Sequence, residues 1–124
     1  MTAPVIIVED DSDLLHSLCF SLELEGWSTL PYETAEALLA GDALSGAGCL
    51  VIDHMLPGAS GLDLLSQVRA RGLDLPAILI TTNPGSQIRA RAAAFGASIV
   101  EKPLLGGGLT EAIRHALVSG QTCS

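Results

Sequence analysis

Short apolar runs and helix-patterned segments alternate along the chain. Val5–Val8 is continuous and β-branched, the pattern of a strand buried on both faces. Behind it, Leu14, Leu15, Leu18 and Leu22 fall on one side of a helix that Asp11 or Ser12 can cap and Gly26 can stop. The same reading predicts a strand over Trp27–Leu30, a helix from a Thr34 cap to Ala40, and a strand over Cys49–Ile52 that ends at Asp53. H-M-L-P-G-A-S-G follows as a loop, then a helix over Leu62–Arg71 and a strand over Ala77–Ile80 that ends at Thr81. A helix from a Ser86 cap to Phe95, a short strand at Ile99–Val100 and a last helix over Thr110–Val118 complete the series. Five β/α units with short connections imply an α/β, doubly wound parallel sheet with right-handed crossovers and helices on both faces.

In such a sheet the carboxyl ends of all strands share one edge, and ligands bind there where the strand order reverses. The polar residues at those ends are unusual. Glu9, Asp10 and Asp11 follow the first strand, Asp53 ends the third, Thr81-Thr82 the fourth, and Glu101-Lys102 the fifth. Lys102 is the only lysine in the chain. Two like charges about 4 Å apart cost roughly 1 kcal/mol in water and roughly 4 at an effective dielectric of 20. A solvated helix start would explain three acids alone. The arrival of Asp53 and Lys102 at the same edge favours a site instead, with Asp11 kept as the helix cap.

An oxygen-only set without His or Cys ligands suits a hard cation, Mg²⁺ before others. Aspartate can act as a nucleophile toward phosphoryl groups. Asp53 is the candidate for that role, with Lys102 to offset phosphoryl charge and the Thr81 hydroxyl to donate a hydrogen bond. His54 reads as a loop neighbour of the site, His16 and His115 as plain helix positions, and Arg89 and Arg91 as a solvated helix face.

Composition narrows the function classes. The chain has 124 residues, 48% hydrophobic and 16% charged, enough to bury one core. Its net charge of −8 argues against direct binding to nucleic acid or an anionic membrane. No apolar run reaches the ~20 residues of a membrane span. M-T-A-P shows no leader pattern, and Cys19, Cys49 and Cys123 form no C-x-x-C pair, so a reducing, cytoplasmic setting is expected. No G-x-x-x-x-G-K-[ST] or G-x-G-x-x-G is present, which weighs against a nucleotide-binding enzyme on the same scaffold.

I-I-V-E-D-D, V-I-D-H-M-L-P-G-A-S-G, I-L-I-T-T, F-G-A and V-E-K-P occur in an order that resembles the receiver domain of bacterial two-component response regulators. The resemblance implies a single flavodoxin-like (βα)5 domain over residues 1–118 with strand order 2-1-3-4-5, a short tail at 119–124, and no output domain in this chain. It implies phosphorylation of Asp53 by a sensor histidine kinase or histidine phosphotransfer protein. The domain would catalyse only its own phosphorylation and dephosphorylation. Mg²⁺ would be held by Asp10, Asp53, the backbone carbonyl of Met55, and Glu9 through water. Thr81 and Lys102 match the switch hydroxyl and the phosphate-facing lysine. A cis Lys102–Pro103 bond and a homodimer through the helix 4/strand 5/helix 5 face are further implications, as is a downstream protein target or fused output domain.

Several positions depart from that pattern. Ile99 replaces an aromatic residue, Thr82 a small one and Leu104 a phenylalanine, and Gly106–Gly108 sit where the last helix should begin. These departures lie nearer the output face than the phosphorylation chemistry. They keep a second reading in play, a pseudo-receiver acting as a phosphorylation-independent interaction scaffold.

Overall fold

The computed structural model describes residues 3–56, 58–102 and 108–122, with side chains through 117. Its elements in chain order are β1 (Val5–Val8), α1 (Ser12–Leu24), β2 (Thr29–Tyr32), α2 (Ala35–Ala40), β3 (Cys49–Asp53), α3 (Gly61–Ala70), β4 (Ala77–Thr81), α4 (Ser86–Ala94), β5 (Ala97–Glu101) and α5 (Gly108–Thr122). A 3₁₀ turn at Ala43–Gly46 precedes β3. The strands form one parallel sheet in the order β2-β1-β3-β4-β5. This is the flavodoxin-like arrangement expected from the sequence.

Successive side chains on a strand point to opposite faces, and here both faces are covered. Ile6, Val8, Leu50, Ile52 and Leu79 pack with Leu38 of α2 and Leu62, Leu65 and Val68 of α3. Val5, Ile7, Val51, Ile78 and Ile80 pack with Leu15, Leu18 and Leu22 of α1 and Ile113 of α5. Burial on both faces is why the central strands read as unbroken apolar runs. Within the layer that holds α2, α3 and α4, Arg69 ties α3 to the end of α4 by donating to the carbonyl of Phe95 (2.8 Å), and to the segment before β4 by donating to Leu75 (2.9 Å) and Leu73 (3.0 Å).

The helix starts carry their own chemistry. Asp11 caps α1, its carboxylate accepting from the amides of Asp13 and Leu14. Thr34 caps α2 by accepting from the amide of Ala37. At α3, Ser60 and Asp63 form a reciprocal capping box.

Several boundaries differ from expectation. β2 lies at 29–32, not 27–30, because the amide of Trp27 still bonds to the carbonyl of Leu22 at the exit of α1. Pro31 is compatible with this strand because β2 is at the sheet edge. β5, the other edge strand, covers 97–101 rather than 99–100; its half-buried Ala97 and exposed Ser98 give little apolar signal. Gly85, not Ser86, stands at the cap of α4. The loop after Asp53 contains a two-residue hairpin, Met55–Leu56 against Ala59–Ser60, and α3 begins at Gly61. The last helix runs 108–122, so residues 119–122 of the expected tail continue α5. Pro103, Leu104, Gly106, Gly107 and Cys123 lie outside the described residues, and with them the geometry of the Lys102–Pro103 bond.

Candidate functional site

Three polar or charged residues are buried among the described residues: Glu9, Asp53 and Thr81, at 2%, 4% and 4% exposure. All three stand at the carboxyl edge of the sheet. The parallel register puts them there, pairing Val8 with Ile52, Asp53 with Ile80, and Thr81 with Glu101. Buried polar groups need partners, and buried charges need compensation, so this edge is where the fold holds its electrostatic cost.

Lys102 provides part of the compensation. Its ammonium lies 3.3 Å from Asp53 Oδ2 and 3.9 Å from Glu9 Oε1. The backbone fixes its approach, since the Lys102 amide donates to the carbonyl of Thr81 at 2.8 Å. The other Asp53 oxygen accepts from the Met55 amide at 3.3 Å. Asp10 is exposed at the mouth, and one carboxylate oxygen from each of Glu9, Asp10 and Asp53 lies within 4.8 Å of the others. Met55 stands beside them and is 73% exposed. Glu9, Asp10, Asp53 and Lys102 thus converge, with Thr81 buried at the same strand edge, whereas Asp11 turns away to cap α1.

One ammonium does not satisfy this many acids. Glu9 Oε2 accepts from the Asp11 amide at 3.3 Å, but Glu9 Oε1 is buried with no hydrogen-bond partner. Burial first, and then the adjacent Asp53 carboxylate, pushes the Glu9 carboxyl up to about 8; the Asp11 amide and Lys102 offset only part of this. The orphaned oxygen, the raised carboxyl and the all-oxygen donor set fit a hard divalent cation.

Two features at the site were not read from the sequence. His54 Nδ1 is buried without a partner. Gly61 packs directly beneath Asp53, where a Cβ would come within 2.6 Å of the Asp53 carbonyl oxygen. The only sequence signal for the latter is a glycine at a helix start where alanine would be the better helix former. Outside the pocket, Arg89 pairs with Glu101 at 3.0 Å and Arg91 with Asp63 at 3.7 Å, all four side chains about half exposed. Thr82 is exposed, and Ile99 is half-buried against the α2/α3 side of the core. No helix among the described residues is long and apolar enough to cross a membrane.

Comparison with known proteins places this geometry. The sequence profile of the response regulator receiver domain matches residues 5–114. The transcriptional regulatory protein FixJ of Azorhizobium caulinodans is 33% identical over 115 residues, 92% of this chain and 54% of FixJ. The sensory transduction protein RegX3 of Mycolicibacterium smegmatis is 35% identical over 117 residues, 94% of this chain and 51% of RegX3. The chain therefore spans about half the length of these relatives. Among solved structures, the FixJ N-terminal domain superposes with a TM-score of 0.83 at 30% identity, covering 95% of each chain. A CheY-like receiver domain from Methanospirillum hungatei JF-1 has the same fold, with a TM-score of 0.89 at 24% identity over the full length of both. With a profile that runs from β1 into α5 and relatives that cover 92% and 94% of the chain, the chain belongs to the response regulator receiver domain family.

Proposed function

We propose that this receiver domain is a phosphoacceptor and that Asp53 takes the phosphoryl group. One observation carries the reading: a buried Asp53 carboxylate lies 3.3 Å from the Lys102 ammonium and beside two further acids. In the reaction, an Asp53 carboxylate oxygen attacks the phosphorus of a phosphohistidine on a histidine kinase or phosphotransfer protein. An O–P bond forms as the N–P bond breaks, and the imidazole leaves with the electron pair. Lys102 stabilises charge on the phosphoryl oxygens, and the Thr81 hydroxyl donates to one of them. Asp10, Asp53 and the Met55 carbonyl would hold Mg²⁺, with Glu9 acting through water; when bound, the ion supplies charge neutralisation for the transferred group. The domain turns over no other substrate.

Acyl phosphate at Asp53 would shift a balance between conformations that already exist. A second copy would pair through the α4–β5–α5 face, and a protein target or fused output domain would read the change, in a cytoplasmic setting. Ile99 is an aliphatic residue packed half-buried against the core, so the relay from Thr81 to that face does not use an aromatic rotamer swap. The phosphorylation-independent scaffold is the less favoured reading, because such a module has no use for the Glu9–Asp10–Asp53–Lys102 set.

Beryllofluoride, which mimics an aspartyl phosphate, tests the proposal. With Mg²⁺ it should shift the amide resonances of Met55, Thr82 and Lys102 in the wild-type domain and leave the Asp53→Asn variant unchanged. Identical spectra with and without beryllofluoride would favour the scaffold.

A further inference from the structure

The peptide that carries the Asp53 carboxylate is pressed against the first turn of α3, and the contact is made at Gly61. A Cβ there would meet Asp53 O at 2.6 Å, Ile52 Cγ2 at 2.9 Å and Leu79 Cδ1 at 2.9 Å. Leu79 Cδ1, at the tip of its side chain, can give way by a small rotation, whereas Ile52 Cγ2 sits on a buried β-branched side chain that is stiff at χ1. The carbonyl oxygen belongs to the backbone of β3, so opening that contact even to 3.0 Å moves the strand end itself. The same turn is tied to the next peptide. The Gly61 amide donates to His54 O at 2.7 Å, and the His54 amide donates to Ile80 O at 2.9 Å. The peptide between Asp53 and Met55 is therefore held from β4 on one side and α3 on the other.

We propose that Gly61 is a positioning residue for phosphoryl transfer. Its missing Cβ sets the depth at which Asp53 stands against Lys102 and the acid pair. The inference rests on Asp53 being the phosphoacceptor. It opposes ordinary helix reasoning, in which alanine in place of glycine at a helical position is favourable. A displacement of half an ångström or so is on the scale at which such constellations fail.

The test compares Gly61→Ala, Leu79→Val and the double variant with the wild-type domain. Leu79→Val removes one atom that a new methyl group would meet but does not touch Asp53 O. Urea midpoint, Mg²⁺ affinity by calorimetry, and the rate of Asp53 phosphorylation by acetyl phosphate at saturating Mg²⁺ are measured for each. Gly61→Ala should lower the midpoint, weaken Mg²⁺ binding and slow phosphorylation by roughly ten- to a hundred-fold. Leu79→Val should lower the midpoint and leave the other two readouts at wild-type values. The double variant should recover midpoint relative to Gly61→Ala but not the rate, because the carbonyl contact persists. A wild-type rate and Mg²⁺ affinity in Gly61→Ala, or recovery of both in the double variant, would overturn the proposal. Failure of both glycine variants to fold would assign Gly61 to folding alone. If the wild-type domain takes no phosphoryl group, the phosphoacceptor reading fails, and Mg²⁺ affinity alone decides the role of Gly61.

Discussion

Glu9 makes the stability of the metal-free domain depend on pH in a direction opposite to that of an ordinary salt-bridged acid. It is 2% exposed, Oε1 has no hydrogen-bond partner, and the Lys102 ammonium is 3.9 Å away. Burial, followed by the Asp53 carboxylate, raises its pKa from 4.5 to about 8. Between those values the folded protein holds a proton that the unfolded chain has released. Stability therefore falls as pH rises through the window, by about 1.4 kcal/mol per unit at full effect. Across the two central units this amounts to roughly 2–3 kcal/mol, a large share of a typical domain stability of about 5–15 kcal/mol. The contribution is fully present below 4.5 and lost above about 8. The assay is urea unfolding in chelator at fixed ionic strength, with wild type and Glu9→Gln measured side by side. Gln keeps the shape of the protonated acid and cannot ionise, so titrations elsewhere cancel in the difference. The wild type should lose stability relative to Glu9→Gln as pH rises, and Mg²⁺ should restore more of it to the wild type than to the variant. A difference that stays constant across the window, or that changes in the opposite sense, would refute the reasoning.

Other outcomes follow from the same contacts. Lys102→Met leaves the buried Asp53 carboxylate without its cation; it should cost about 2–4 kcal/mol near neutral pH in urea unfolding, and Mg²⁺ should recover part of the loss. Ser60→Ala removes one half of the capping box at α3 and should lower stability by about 1 kcal/mol, read from the urea midpoint at unchanged m-value. Burial pushes the Cys49 thiol up to about 12, so a thiol reagent at neutral pH should label Cys49 only at the rate of unfolding, a result that peptide mapping can check.

How far the sequence revealed the fold depended on how deeply each element is buried. β1, β3 and β4 are covered on both faces, so their apolar runs marked them almost to the residue. β2 and β5 are edge strands: Pro31 lies inside one and Ala97-Ser98 inside the other, and neither gives a continuous apolar signal. The Met55–Leu56/Ala59–Ser60 hairpin is too short to have a period. The site was more legible than those boundaries, because parallel strands bring their ends to one edge whatever their exact limits. Glu9, Asp10, Asp53, Thr81 and Lys102 could therefore be placed together from strand ends alone. The depth of each group could not. That Glu9 is buried with an unpartnered oxygen while neighbouring Asp10 is exposed depends on how the chain leaves β1. The contact beneath Asp53 likewise depends on the entry angle of α3, which no residue pattern encodes.

Phosphoryl transfer to this domain comes down to one bond, the acyl phosphate at Asp53. It is tested most directly by incubating the domain with acetyl phosphate and Mg²⁺, then mapping the acid-labile modification by peptide mass spectrometry. A single phosphoryl group is expected on the peptide containing Asp53, absent with chelator and absent in Asp53→Asn. A phosphoryl group on another residue, or none on the wild-type domain with Mg²⁺ present, would contradict it.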